Sequence, residues 1–279
     1  MKSKFYSGIE NINGNEFYYE YIKHPSAGPT IIMLHGFLSS AFSFRKLIPH
    51  LQEEYNILAV DIPPFGKSGK SKRFLYSYQN MASSIFELTD RLQISNMILA
   101  GHSMGGQIVM NMLLQRPAAA SSALLLCSSA YLPKSHQSLV YTSYIPFFHL
   151  YVKRHLAKSG LEKNLKNVVY NQAMIDEDMR KGYMSPFLNN SIFQGLTRMI
   201  RHREGDLTEE DIKRIQTPCL LIWGEHDRVV PLSKGKRLHK NLPNSKLIIL
   251  KETGHLVPEE RPEEIVAEMK GFLSAVVSV

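Results

Sequence analysis

The sequence predicts an α/β fold, and three observations predict it. Short apolar runs bounded by turn residues recur along the chain and alternate with segments of helical periodicity. Most of these runs are unbroken β-branched or leucine stretches, as expected of parallel strands covered on both faces. The stretch 129–216 breaks the rhythm, with helical periodicity and no convincing strand.

The first two strands, 5–9 and 16–22, flank Asn11-Ile12-Asn13-Gly14-Asn15. Its Asn-Gly step is a hairpin signal, so this pair is expected to be antiparallel. Six further strands follow at 30–34, 56–60, 97–100, 123–127, 219–223 and 246–250. Between them 41–51, 78–92, 104–114, 232–241 and 262–272 carry apolar residues at helical spacing, and Pro262 suits a first-turn position. The expected product is a mostly parallel eight-stranded sheet with helices on both faces. Residues 1–128 and 217–279 would form that core domain, and 129–216, punctuated by Pro146, Gly160, Gly182, Pro186, Gly195 and Gly205, a helical lid inserted into it.

A chain of 279 residues can remove roughly three quarters of its unfolded surface from water, so it needs neither disulfides nor a structural metal. Both cysteines, Cys127 and Cys219, sit in apolar runs, where a thiol behaves as a small buried hydrophobe. The basic start Met1-Lys2-Ser3-Lys4 leads into no apolar signal region, and no window reaches 18 apolar residues; no membrane span is expected, and a cytoplasmic location is the default. The net charge of +8 would suit an anionic partner. Its two main runs, Lys67–Arg73 in one region and Lys153, Arg154, Lys158, Lys163 and Lys166 in another, read as solvated faces. Neither interleaves aromatics at a stacking spacing, so no nucleic acid partner is expected.

The chemistry lies after the third of the central strands. Met97-Ile98-Leu99-Ala100 runs into Gly101-His102-Ser103-Met104-Gly105-Gly106, then into an apolar helical segment. In a G-x-S-x-G turn between strand and helix the chain reverses so sharply that side chains at the flanking positions would collide with backbone. Ser103 is thereby lifted out of the sheet beside the first N–H groups of the helix, which favour a developing oxyanion. A serine hydroxyl is a weak nucleophile without a base, and the base needs an orienting acid. Both follow in order: Gly224-Glu225-His226-Asp227 after one strand, and Gly254-His255 after the next.

With these residues the sequence resembles the α/β-hydrolase family, in its lidded branch of serine esterases, C–C bond hydrolases, haloalkane dehalogenases and epoxide hydrolases. The resemblance spans nearly the whole chain. It implies Ser103 as nucleophile, His255 as general base and Asp227 as the acid that orients the imidazole, with Glu225 the runner-up acid. The His-Gly landmark, here His35-Gly36-Phe37, implies backbone oxyanion donors at Phe37 and Met104, and a structural His35. Asp61-Ile62-Pro63-Pro64-Phe65-Gly66-Lys67-Ser68 resembles the family's Asp-x-Pro-Gly-x-Gly-x-Ser loop, with Pro64 where Gly is customary.

The branch is read from the nucleophile. Dehalogenases and epoxide hydrolases of this fold use an aspartate where this chain has Ser103. C–C hydrolases tend to show Asn before the nucleophile and Trp after the histidine, where this chain has His102 and Leu256. The reading is therefore a carboxylic ester hydrolase acting on a small-molecule ester of small to medium apolar acyl groups, with no cofactor. The rivals are C–C hydrolysis of ring-fission-type diketone acids, and a receptor that binds a ligand with slow or no turnover. Two Gly-Lys-Ser steps at 66–68 and 69–71 imitate a phosphate loop but lack its earlier glycine. The remaining histidines show no ligand spacing for a metal. The insertion's aromatics and methionines, among them Phe147, Phe148, Tyr151, Tyr183, Phe193 and Met199, are expected to pack it onto the body and in part to line an apolar pocket over Ser103.

Overall fold

A computed structural model of the chain describes residues 3–26 and 28–277, with backbone alone at 158, 159, 161 and 277. Eight strands form one sheet: β1 (Lys4–Ile12), β2 (Asn15–Lys23), β3 (Thr30–Leu34), β4 (Asn56–Val60), β5 (Met97–His102), β6 (Ala120–Leu126), β7 (Cys219–Gly224) and β8 (Ser245–Leu250). Their order is β1-β2-β4-β3-β5-β6-β7-β8. The β1–β2 hairpin closes with Ile12 opposite Asn15, so Asn13 and Gly14 alone make the turn. Both have positive φ, 52° and 75°, the backbone that a two-residue hairpin turn of matching twist demands. β2 also runs antiparallel to β4, whereas β3 to β8 are parallel.

Strands β3, β4, β5 and β7 are buried along their whole length, which explains their unbroken apolar sequences. β8, at an edge, is half-buried and carries Lys246. The helices that flank the sheet are α1 (Ile48–Leu51), α2 (Tyr78–Arg91), α3 (Met104–Gln115), α10 (Leu232–Asn241), α11 (Val257–Glu260) and α12 (Pro262–Val277). The helix expected over 41–51 is broken into a 3₁₀ turn at Ala41–Phe44 and the short α1. Pro49, in the first turn of α1, has no N–H to give to a carbonyl four residues back, so one continuous helix cannot form there.

Between β6 and β7 the described residues hold α4 (Gln137–Thr142), α5 (Phe148–Ser159), α6 (Leu161–Val168), α7 (Glu177–Met184), α8 (Ile192–His202) and α9 (Glu209–Lys213). Helix α8 joins the main core through Ile192, Phe193, Leu196 and Met199, a stripe at helical spacing. Gly195 lets α8 lie directly on Pro64, since a Cβ there would stand 2.3 Å from the proline ring. The residue that departs from the family loop is thus a seat for α8. Helices α6 and α7 make a separate apolar cluster with Leu256, the neighbour of His255.

Candidate active site

Ser103 occupies the turn between β5 and α3 at φ 53° and ψ −118°, a strained backbone for a residue with a side chain. Three backbone bonds hold it there. Its N–H donates to Leu126 O at 3.0 Å, and its carbonyl accepts from Gly106 N–H at 3.0 Å and Ser129 N–H at 2.9 Å. A Cβ on Gly105 would lie 2.0 Å from the Leu34 carbonyl oxygen, and one on Gly101 2.5 Å from Gly105 backbone, so the turn closes with glycine at both places. The Ser103 hydroxyl makes no capping bond to α3. An ordinary helix cap would use it; here it is left for other work.

Asp227 follows β7 and His255 follows β8, and the turns bring the two side chains together. His255 Nδ1 and Asp227 Oδ2 are 2.7 Å apart, with the carboxylate fully buried and the imidazole nearly so. The other carboxylate oxygen, Oδ1, accepts the N–H groups of Val229 and Val230, both at 2.8 Å. Asp227 is therefore fixed in orientation, with one oxygen left for the imidazole. Glu225, the alternative acid, is half-exposed and pairs with His226 at 3.7 Å.

The backbone around His255 is held by the body and by the insertion. His102 Nε2 donates to His255 O at 2.9 Å, linking the residue before Ser103 to the histidine loop. Because the carbonyl can only accept, the His102 proton sits on Nε2; burial pulls the pKa of this imidazole down to about 3. From the insertion, Val168 O accepts both His255 N–H at 2.7 Å and Leu256 N–H at 3.1 Å. Glu260 bridges the two: one oxygen takes Gly254 N–H at 2.9 Å and the other Tyr170 N–H at 2.8 Å. Burial raises the Glu260 pKa, and those donors offset the rise only in part. His35 is occupied elsewhere, with Nδ1 on Gly36 O at 2.7 Å and Nε2 accepting Ile62 N–H at 2.8 Å. Asp61 spends both oxygens on backbone, Ala41 N–H and Lys67 N–H, each at 2.7 Å.

Ser103 opens onto a cavity of about 620 Å³ between the body and the insertion. Phe37 and Met104 share this wall, and among the described residues neither of their N–H groups has a protein acceptor. Leu139, Phe148, Leu196 and Met199, from the segment between β6 and β7, line the same cavity, and the lining is overwhelmingly apolar. One guanidinium, that of Arg203, reaches the wall, but it donates to Pro133 O at 2.6 Å and stands 4.0 Å from buried Asp206. Its donors are thus partly used within the protein, and His155 is the other basic side chain of the lining.

A family model described as the alpha/beta hydrolase fold matches residues 29–262. The chain belongs to that family. It is 52% identical over 262 residues to an uncharacterized hydrolase, YugF, of Bacillus subtilis, covering 94% of this chain and 96% of the relative. Among solved structures it is similar to an esterase from Exiguobacterium antarcticum, with TM-score 0.78, 22% identity and coverage of 98% and 100% of the two chains. It is also similar to a meta-cleavage product hydrolase from Pseudomonas fluorescens, with TM-score 0.79, 19% identity and coverage of 96% and 97%. These two likenesses speak for the fold.

In this α/β-hydrolase chain Cys127, Asp227 and His255 offer donor atoms within 4.8 Å of one another, the one such buried trio among the described residues. They do not fit a metal. Two ligands on one tetrahedral zinc stand roughly 3.3 Å apart, given bonds of about 2.0–2.1 Å, whereas the carboxylate and imidazole are in direct hydrogen-bond contact at 2.7 Å. Burial also pushes the Cys127 thiol well above its ordinary pKa, which keeps it protonated. Sequence reasoning did not find Val168, Tyr170 or Glu260. Glu260 stands in Glu259-Glu260-Arg261, which carries the signature of a solvated helix end, and nothing local marks it as a brace.

Proposed function

We propose that the chain is a serine hydrolase that cleaves carboxylic esters of small to medium apolar acyl groups, with residues 129–216 serving as the lid over its acyl site. The observation that carries this reading is the buried 2.7 Å contact of His255 Nδ1 with an Asp227 whose other oxygen accepts two backbone N–H groups, together with a strained Ser103 that lines an apolar cavity. Asp227 holds the proton of His255 on Nδ1, so Nε2 is the free base. Ser103 Oγ attacks the ester carbonyl as its proton passes to His255 Nε2. The oxyanion is received by Phe37 N–H and Met104 N–H, the latter at the positive end of α3. Collapse breaks the bond to the alkoxy oxygen, which leaves with the proton from His255. Water then attacks the acyl-enzyme with His255 as base, and the acid departs as Ser103 recovers its proton.

The cavity argues for an uncharged acyl group. A substrate carrying a carboxylate, as a ring-fission diketone acid does, would need a cation at the wall, where Arg203 already donates to Pro133 O and faces Asp206, and His155 is the other basic side chain of the lining. The test is labelling with a fluorophosphonate together with turnover of p-nitrophenyl esters of increasing acyl length. Labelling at Ser103 and a preference for apolar acyl chains are expected. Absence of both labelling and turnover would end the proposal, and rapid bleaching of a yellow ring-fission product would redirect it to C–C cleavage.

A further inference from the structure

No aspartate or glutamate occurs between Asp90 and Glu162, a span that includes all of α4 and α5, and α8 contains none either. The same elements leave apolar side chains in water. Tyr141, Tyr144, Ile145, Phe147, Leu150 and Tyr151 are each between 53% and 73% exposed, although single exposed hydrophobes are normal and a contiguous group is not. Phe147, the most exposed of them, has a left-handed backbone at φ 63° immediately after Pro146, a conformation that costs energy in an aromatic residue. Behind this knuckle lies a second cleft, of about 250 Å³, to which Lys72, Arg198 and Arg201 contribute their cations. Arg201 packs on the Tyr144 ring at 4.1 Å and donates to Ser143 Oγ at 2.9 Å, fixing the loop between α4 and α5. Leu139, Phe148 and Tyr151 of the same helices line the cavity over Ser103. The patch is therefore the outer rim of that cavity.

We infer that this face adsorbs to the surface of an anionic lipid bilayer, with Ile145 and Phe147 entering the headgroup and acyl boundary and Lys72, Arg198 and Arg201 meeting lipid phosphates. The charge pattern selects the partner: an apolar tip ringed by cations and free of carboxylates matches an interface that is negative outside and apolar beneath. Nucleic acid shares the negative charge, but the aliphatic Ile145 and Leu150 have no role on a phosphate backbone or in base stacking. The mode is adsorption, since no described helix is long and apolar enough to cross a membrane.

Sedimentation of the full chain with sucrose-loaded vesicles tests this without any turnover, so it stands or falls separately from ester hydrolysis. The chain is expected to pellet with phosphatidylcholine vesicles doped with phosphatidylglycerol, to remain largely in solution with phosphatidylcholine alone, and to be released by salt. Phe147→Ser should lower the partition coefficient by roughly tenfold, from lost apolar burial. Lys72→Gln and Arg198→Gln should each lower it by roughly fivefold. Thermal unfolding and hydrolysis of a short soluble ester should be unchanged in Phe147→Ser, which separates a docking defect from a folding one. Equal partition to both vesicle types, or wild-type partition by all three variants, would overturn the inference. So would a single-stranded oligonucleotide that displaces the chain from vesicles and binds Phe147→Ser as tightly as wild type; that outcome would assign the patch to nucleic acid.

Discussion

Replacing Asp227 by asparagine separates geometry from charge at the proposed relay. Oδ1 accepts two backbone N–H groups at 2.8 Å, from Val229 and Val230, and an amide can satisfy both with its oxygen alone. Its NH₂ group must then take the place of Oδ2, 2.7 Å from His255 Nδ1. The imidazole can meet a donor only by presenting an unprotonated Nδ1, which moves its proton to Nε2, the atom needed as base. The wrong tautomer would be enforced by the fold and not merely allowed. In the serine protease template an equivalent change lowers kcat about 10⁴-fold, and a loss of that order, about 5 kcal/mol of transition-state stabilisation, is expected here. Steady-state kinetics on a p-nitrophenyl ester would measure it, with fluorophosphonate labelling slowed in parallel. Since the amide is isosteric and keeps two of the three bonds, Tm should move little. The half-exposed Glu225 supplies the control: Glu225→Gln should retain activity within about threefold. A kcat of Asp227→Asn within tenfold of wild type would refute the tautomer argument, and a collapse in Glu225→Gln would move the acid to that residue.

Three further outcomes are expected. Glu260→Ala leaves Gly254 N–H and Tyr170 N–H without their carboxylate, so unfolding in urea should show a loss of roughly 1–3 kcal/mol, and kcat should fall more than KM rises because the histidine loop loses its brace to the insertion. Gly105→Ala sets a Cβ 2.0 Å from Leu34 O, and the resulting strain should cost roughly 3 kcal/mol and remove labelling at Ser103; a folded, fully labelled variant would show that the turn has slack. Burial depresses the pKa of His102 to about 3, and that of His35 in the same direction, so below about pH 6.5 the unfolded chain takes up protons that the folded chain refuses. Stability from these groups is complete above that pH and is lost as pH falls, for His102 down to about 3 at up to about 1.4 kcal/mol per pH unit, with His35 contributing in the same direction. Burial raises the Glu259 and Glu260 pKa values, which act with the opposite sign, so the histidine part is isolated by comparing slopes between wild type and His102→Gln; identical slopes would contradict it.

What could be read from the sequence was what local chemistry dictates. The Asn13-Gly14 hairpin, the glycine-flanked turn at Ser103 and the unbroken strands each follow from the steric needs of a few adjacent residues, and the structure forms them. The helix over 41–51 went wrong because apolar spacing outweighed Pro49, although a proline without a donor is itself a local signal. The pairing of Asp227 with His255 was expected from a family pattern and not from their spacing, since 28 positions of chain say nothing about distance.

The braces were out of reach for a different reason. Tyr170 N–H meets Glu260 across 90 positions, and Val168 O meets His255 N–H through backbone atoms that carry no sequence identity. A bond donated by one main chain to another can be served by almost any residue, so composition cannot announce it. The periodicity of α4 and α5 likewise gives an apolar count without saying which face meets the body, and Phe148 inside the cavity with Phe147 in solvent are neighbours that no pattern distinguishes. The same physics gives the segment between β6 and β7 a structural role beyond the cover proposed for it. Its carbonyl at Val168 and its amide at Tyr170 hold the loop that carries His255, so a displacement of α6 would reach the base directly. The segment between β6 and β7 and the loop that carries His255 are therefore coupled through four hydrogen bonds, and on the proposed reading this ties the position of a lid to the geometry of the base.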